Sequence, residues 1–277
     1  MKFILHLLVY IVFISCNGTA NTSDQKAKDS VLSVAENKGS VNYDLTKPSK
    51  TWDLPEELKE ISGNTWVDKD HLVVIEDLHP NLYLLKLDNV IKIEKTIPFE
   101  AGQDKKFDIE DVVIVNDVVY ALWSHGVIFK ITGWRNKEQT QEIPTFLNKK
   151  NNTEGICYDP VTHNLLVACK DESDLQDAKK STRAIYAFDM QQEKLKEEPF
   201  MTIAKKDIKN ATGEKLDIYP SAIAVHPVTH DVYILSTKET KCMVTYSHDG
   251  QFKSIQMIDK DLMIQPEGIC FAPDGTL

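Results

Sequence analysis

One unit recurs through most of the chain and constrains its fold more than any other feature: a polar residue, three to five apolar residues, a turn, then a second β-rich run. Five copies are visible, SGNTWVDKDHLVVIED from Ser62, EDVVIVNDVVYALW from Glu110, EGICYDPVTHNLLVACK from Glu154, SAIAVHPVTHDVYILS from Ser221 and EGICFAPDGTL from Glu267. Their starts lie 48, 44, 67 and 46 residues apart, and all but the longest interval match the length of a four-stranded propeller blade. The turns carry hairpin chemistry: Asp68-Lys69-Asp70, Asn116-Asp117, and the longer segments 159–164 and 226–231. Third and fourth strands follow at 81–87 and 91–98, 127–132 and 140–146, 184–190 and 198–203, and 243–248 and 254–258. Helical periodicity is nearly absent. The expected fold is all-β, a β-propeller of five blades, with six as the alternative. Polar stretches at 171–182 and 205–217 fill the longest interval and are expected as surface loops. The fifth copy ends at Leu277 soon after its first strand, so the last blade reads as truncated, and residues 49–54 (SKTWDL) are placed to supply its outer strand.

The start of the chain reads as an address. Residues 1–16, MKFILHLLVYIVFISC, set one Lys before a near-continuous apolar run over 3–14, the layout of a secretory signal, and the run is too short to span a bilayer comfortably. It ends in Ile14-Ser15-Cys16, which resembles the lipobox of bacterial lipoproteins, where the Cys thiol is acylated; Phe13 stands where a Leu-like residue is usual. Two readings stay open, a lipid anchor on Cys16 or simple secretion with cleavage at a small residue nearby. Both export the protein, and the first ties it to the plasma or outer membrane of the bacterial cell envelope. Residues 17–41, rich in Asn, Ser, Lys, Asp and Thr, read as a flexible tether in which nothing packs, and 42–277 as the propeller. With 32 Lys+Arg against 42 Asp+Glu, the net charge of −10 and the lack of a basic stripe argue against nucleic-acid binding. The same charge disfavours adsorption to anionic lipid, so membrane contact would be covalent. A monomer is expected, with a small molecule, a glycan or a protein as its ligand.

The segments Lys59-Glu60-Ile61-Ser62-Gly63, Asp108-Ile109-Glu110, Asn152-Thr153-Glu154-Gly155, Tyr219-Pro220-Ser221 and Gln265-Pro266-Glu267-Gly268-Ile269 together resemble the SdiA-regulated family of exported bacterial propellers, from about Tyr43 to Leu277. The usual Glu-Gly of the second blade is Glu110-Asp111 here. A weaker resemblance is to the calcium-activated nucleotidases, apyrase-type five-bladed propellers with a calcium ion in the central tunnel. That resemblance implies a metal ring of Ser62, Glu110, Glu154, Ser221 and Glu267. It departs after the first hairpin, where a basic Asp-Asp-Arg run is replaced by Glu76-Asp77-Leu78-His79.

In a propeller the innermost strands converge on the axis, so three ring carboxylates would meet. At separations of about 6 Å and an effective dielectric of about 20, each Glu–Glu repulsion is about 3 kcal/mol and three pairs reach about 8 kcal/mol, which rivals the stability of a domain. A cation or a proton must relieve it. An all-oxygen donor set with room for water favours Ca²⁺ over zinc or magnesium; the competing reading is that these polar residues satisfy backbone groups and hold the blades in register. The second strand of each blade ends on the face where the first begins, so the loops after it border the ring. They supply Glu76, Asp77 and His79, then Ser124 and His125, then Lys170, Asp171 and Glu172, then Thr237, Lys238 and Glu239. Asp77, His125, Lys170 and Lys238 are the candidates for catalysis, with the lysines holding a phosphate beside the metal and a carboxylate activating water. The functions that follow are a calcium-containing binding module, a calcium-dependent hydrolase of phosphate or carboxylic esters, or a metal-free interaction platform.

His226 and His230 stand four apart, but Pro227 and the β pattern make a hairpin rather than a zinc pair. Cys157 and Cys270 fall three residues after a ring Glu and read as small core residues. Cys157 and Cys169 flank a hairpin symmetrically, which leaves a cross-strand disulfide open.

Overall fold

The computed structural model describes residues 31–32, 41, 43–102, 106–176 and 182–277, so the signal segment with Cys16, and most of the tether, lie outside the described residues. Strand β1 (Val31–Leu32) precedes four antiparallel meanders: β2 (Ile61–Asp68) to β3 (His71–Glu76), β4 (Asn81–Lys86) and β5 (Lys92–Pro98); β6 (Ile109–Val115) to β7 (Val118–Trp123), β8 (Val127–Thr132) and β9 (Gln139–Pro144); β10 (Thr153–Asp159) to β11 (Asn164–Cys169), β12 (Thr182–Asp189) and β13 (Lys194–Ala204); and β14 (Pro220–Val225) to β15 (Val232–Ser236), β16 (Cys242–Tyr246) and β17 (Phe252–Met257). Every pair of neighbouring strands runs antiparallel, and the first strands of successive sheets touch, β2 on β6, β6 on β10 and β10 on β14. Among the described residues this is an all-β propeller with four sheets. The hairpins behave as their residues require. Asn116 and Asp117 both adopt positive φ, 49° and 62°, the geometry of the two-residue turn that matches strand twist. In the longer turns His163 and His230 take the left-handed place, while His226 Nδ1 accepts the backbone N–H groups of Val228 and Thr229 at 3.1 and 3.0 Å.

The second strand of each sheet is buried on both faces, and its alternating side chains go to different neighbours. Val73 and Ile75 pack with Val112, Val119 and Phe129 of the second sheet, whereas Leu72 and Val74 turn to Trp52, Leu58 and Tyr83. In the third sheet Leu165 and Val167 face the second, and Leu166 and Ala168 face the fourth. The core is therefore a series of sandwiches between adjacent sheets.

Between β14 and β2 the ring is filled by irregular chain. Ile269 packs with Tyr43, Leu45, Ala222 and Tyr233, and Cys270 packs against the Trp52 cluster. The Tyr43 hydroxyl donates to the Gly275 carbonyl at 2.5 Å, and the Tyr43, His226, Tyr233 and Phe271 rings stand 5.0–6.4 Å apart.

Four expectations are corrected. Residues 49–54 form no strand beyond a bridging residue at Lys50, because Trp52 is instead drawn into the core, its Nε1–H donating to the Asp88 carbonyl at 2.6 Å. The outer edge of the fourth sheet is paired by Val31–Leu32, against Gln256 and Ile255, within the stretch expected to pack nothing. The segment from 205 contains helix α1 (Lys205–Thr212), ended by Gly213 at φ 81° and anchored by the buried Ile208. Cys157 stands opposite Leu166 and Cys169 opposite Thr153, so the register separates the two thiols and both are free. Among the described residues no helix is long and apolar enough to cross a membrane.

Candidate functional site

The head of each first strand carries the same irregularity. The ladder runs from Ile61↔Glu76 to Gly63↔Ile75, from Ile109↔Trp123 to Asp111↔Leu122, from Thr153↔Cys169 to Gly155↔Ala168, and from Pro220↔Ser236 to Ala222↔Leu235. The residues skipped are Ser62, Glu110, Glu154 and Ser221. Each is the extra residue of a β-bulge, a device that frees a side chain from the ladder and re-aims it. The fifth ring residue, Glu267, precedes Gly268, and a Cβ at Gly268 would meet the Asn64 side chain at 2.6 Å and the Gly63 Cα at 3.3 Å. The fifth ring residue thus takes its place beside the first strand of the first sheet.

A backbone relay closes this face. In the first three sheets the residue after the second strand donates to the segment ahead of its own sheet's first strand, and in the first two it also accepts from the next sheet. Asp77 N–H bonds Glu60 O at 3.1 Å and Ile109 N–H bonds Asp77 O at 3.0 Å; Ser124 N–H bonds Asp108 O at 3.0 Å and Thr153 N–H bonds Ser124 O at 2.9 Å; Lys170 N–H bonds Asn152 O at 2.9 Å. The loops after the second strands of the first three sheets therefore border the ring.

The ring residues divide into two groups. The Ser62 hydroxyl donates to Ile109 O at 2.6 Å and the Ser221 hydroxyl to Pro266 O at 3.1 Å; in each case the acceptor immediately precedes the next ring residue. The two serines stitch neighbouring sectors and are buried. The glutamates share an electric field. Burial pushes Glu110 up to about 10, aided by the charges of Glu154 and Asp108 and opposed by Lys170. Burial raises Glu154 to about 7, with Lys170 and Asn152 pulling down, and raises Glu267 to about 7, with Glu154 adding to it. Lys170 is the cation that acts on all three. Its Nζ lies 2.5 Å from Glu154 Oε2, in a pair whose side chains are 17% and 8% exposed, and Asn152 Nδ2 donates to Glu154 Oε1 at 2.8 Å. Among the described residues no side-chain hydrogen bond or ion pair engages Glu110 or Glu267. Among the described residues no three His, Cys, Asp or Glu side chains are gathered as a ready-made metal cage.

Asp77 stands beside the ring. Burial raises it to about 6, with the charges of Glu60, Glu76 and Asp108 adding to the effect, and its Oδ1 is buried without a partner among the described residues. Glu76 is committed to the Leu78 N–H at 2.9 Å and to His79 Nδ1 at 2.7 Å. The other candidates are not gathered at the glutamates. His125 stacks on Trp123 at 4.6 Å, and Lys238 pairs with Asp171 at 3.5 Å and lies 4.5 Å from the Tyr219 ring. Sequence reasoning missed Asn152, Glu60 and Asp108. The signal was present in the spacing of the repeat, since each lies two residues before a ring position, just ahead of its sheet's first strand.

Asp111 replaces the glycine or alanine found after the other ring residues. Its carboxylate is buried, with Oδ1 accepting the Val112 N–H at 2.8 Å and Oδ2 the Ile156 N–H of the next sheet at 2.9 Å. The Asp111 side chain thereby ties β6 to β10.

Fold and site define a β-propeller with an acidic mouth to its tunnel. The chain belongs to the SdiA-regulated family, which matches residues 42–277. No curated protein matches it. Among solved structures it is similar to the virginiamycin B lyase from Staphylococcus aureus (15% identity, TM-score 0.46, 78% of this chain and 61% of that one). It is also similar to the glutaminyl cyclase of Myxococcus xanthus (10%, 0.47, 77% and 79%) and to a chain of a nidogen/laminin complex (13%, 0.49, 83% and 90%). The chain thus spans about three fifths of the lyase's length.

Proposed function

We propose that the protein is an exported, lipid-anchored five-bladed propeller whose tunnel glutamates hold a calcium ion and which acts as a binding module of the cell envelope. The observation that carries this reading is the charge imbalance at the tunnel mouth: Glu110, Glu154 and Glu267 share one field opposed by Lys170, and among the described residues no side-chain hydrogen bond or ion pair engages Glu110 or Glu267. Oxygen-only donors of this kind suit a hard divalent cation. Glu110, Glu154 and Glu267 would hold it, while Ser62 and Ser221, their protons given to backbone carbonyls, offer only neutral oxygens. Bound there, calcium would neutralise the carboxylates and polarise an oxygen of whatever ligand reaches the mouth. Lys170 would release Glu154 to the metal. The fifth blade is the sector between β14 and β2, where the chain around Tyr43 and Ile269 packs. Anchoring at Cys16 rests on the apolar run that ends in Ile14-Ser15-Cys16.

A second reading, a calcium-dependent ester hydrolase, is favoured by Asp77, whose buried, unpartnered oxygen and raised pKa suit a general base. Against it, both candidate phosphate-holding lysines are already neutralised, Lys170 by Glu154 and Lys238 by Asp171.

Calorimetric titration of the chelator-stripped full chain with Ca²⁺ tests the proposal. Saturation at about one ion per chain, lost in a Glu154→Gln variant that keeps its circular dichroism, supports it; no uptake by the wild type refutes it. Calcium-dependent turnover of p-nitrophenyl phosphate or acetate that Asp77→Asn abolishes would replace the binding module with the hydrolase.

A further inference from the structure

Beyond the acidic ring the tunnel changes character. One residue in, neighbouring first strands approach closely: a Cβ at Gly63 would lie 2.6 Å from the Asp111 Cα, and one at Gly155 would lie 3.0 Å from the Ile223 nitrogen. Three residues in stand Thr65, Val113, Cys157, Ala224 and Cys270, none larger than valine. Four residues in stands a collar of Trp66, Ile114, Tyr158, Val225 and Phe271, one from each sector. Small residues followed by large ones leave a cavity of about 310 Å³ that all five sectors line and that reaches Pro227 in the hairpin at the far end of the tunnel.

We infer that this cavity is a second ligand site, distinct from the ring, for a small uncharged aromatic molecule. Its size falls at the lower end of the range used for small-molecule ligands. No charged side chain among the described residues lines it, so a charged ligand would shed its water without compensation. Asp111, the nearby carboxylate, is occupied by two backbone N–H groups. Three of the five collar residues are aromatic, the composition that favours ring–ring contact. The two thiols are held in their neutral form, chiefly by burial, which raises Cys157 well above its ordinary value and pushes Cys270 up to about 12. Neutral sulfur is a polarizable partner for an aromatic ring. The site depends on the smallness of the third layer rather than on the glutamates, so it stands whether or not the ring binds calcium.

The experiment titrates the full chain with indole, and in parallel with indole-3-carboxylate, by isothermal calorimetry. Saturable indole binding is expected at one site, with the carboxylate at least about tenfold weaker. Two variants that fill the small layer, Cys270→Phe and Ala224→Leu, are compared with Cys270→Ala, which does not; circular dichroism identifies any that fail to fold. Loss of indole binding in a folded filled variant and retention in Cys270→Ala confirms the site. Absence of saturable binding, equal affinity for the carboxylate, or binding that survives a folded filled variant overturns it.

Discussion

Without metal, the glutamates at the tunnel mouth should make the protein less stable as the pH rises. Glu154 and Glu267 titrate near 7 in the folded chain against an ordinary 4.5, so between those values the folded state binds more protons than the unfolded one. The stability they contribute is fully present below pH 4.5 and is lost as the pH rises through about 7. Each shift corresponds to about 3 kcal/mol, and together they remove about 6 kcal/mol, against a total domain stability of about 5–15 kcal/mol. Glu110 and Asp77 are displaced in the same direction. The carboxylates lowered by local hydrogen bonds, such as Asp44 and Asp274, act oppositely, but their contribution is lost only as the pH falls below 3.8. Urea denaturation of the full chain in EDTA at pH 5, 6.5 and 8 should therefore show the midpoint falling steadily, and millimolar Ca²⁺ should flatten the series by holding the glutamates ionised. A midpoint in EDTA that is level or rises from pH 5 to 8 would refute the shared-field reading.

Lys170→Met leaves a buried carboxylate without its cation; at pH 8 in EDTA it should cost about 3–5 kcal/mol, less at pH 5 where Glu154 is protonated, and calcium affinity measured by calorimetry should rise because a competing cation is gone. Ser62→Ala should lose about 1 kcal/mol in urea denaturation with calcium stoichiometry unchanged, since its hydroxyl clasps a carbonyl. Gly63→Ala should cost about 2–3 kcal/mol, because the new methyl would sit 2.5 Å from Asp111 Oδ1 and 2.6 Å from its Cα; an unaltered urea midpoint would mean the strands are not so closely apposed.

The meanders were legible because each hairpin announces itself twice, by alternating apolar residues and by turns such as Asn116-Asp117 that tolerate positive φ. The ring positions were legible through the repeat, but not their bulges: one extra residue in a strand changes the pairing without breaking the run of β-formers around Glu110 or Glu154. The Glu154–Lys170 pair could have been read by counting outward from the 159–164 turn, which sets Thr153 against Cys169. Helix α1 was hidden because Lys205–Thr212 offers a single buried apolar side chain, Ile208, too little to show a 3.6-residue period. The part played by the N-terminal segment was misassigned because SKTWDL has strand-forming residues, whereas burial of the Trp52 indole against the first sheet decides its course. Nothing local distinguishes those outcomes, since they depend on a contact with Asp88.

The central claim is that Glu110, Glu154 and Glu267 form one electrostatic unit at the tunnel mouth that needs a proton or a cation. Carbon-detected NMR titration of ¹³C-glutamate in the metal-free full chain, with each resonance assigned by its Glu→Gln variant, tests it most directly. Glu154 and Glu267 should titrate near 7, Glu110 should remain protonated through neutral pH, and Ca²⁺ should ionise all three. Three independent titrations near 4.5, unmoved by Ca²⁺, would contradict the account.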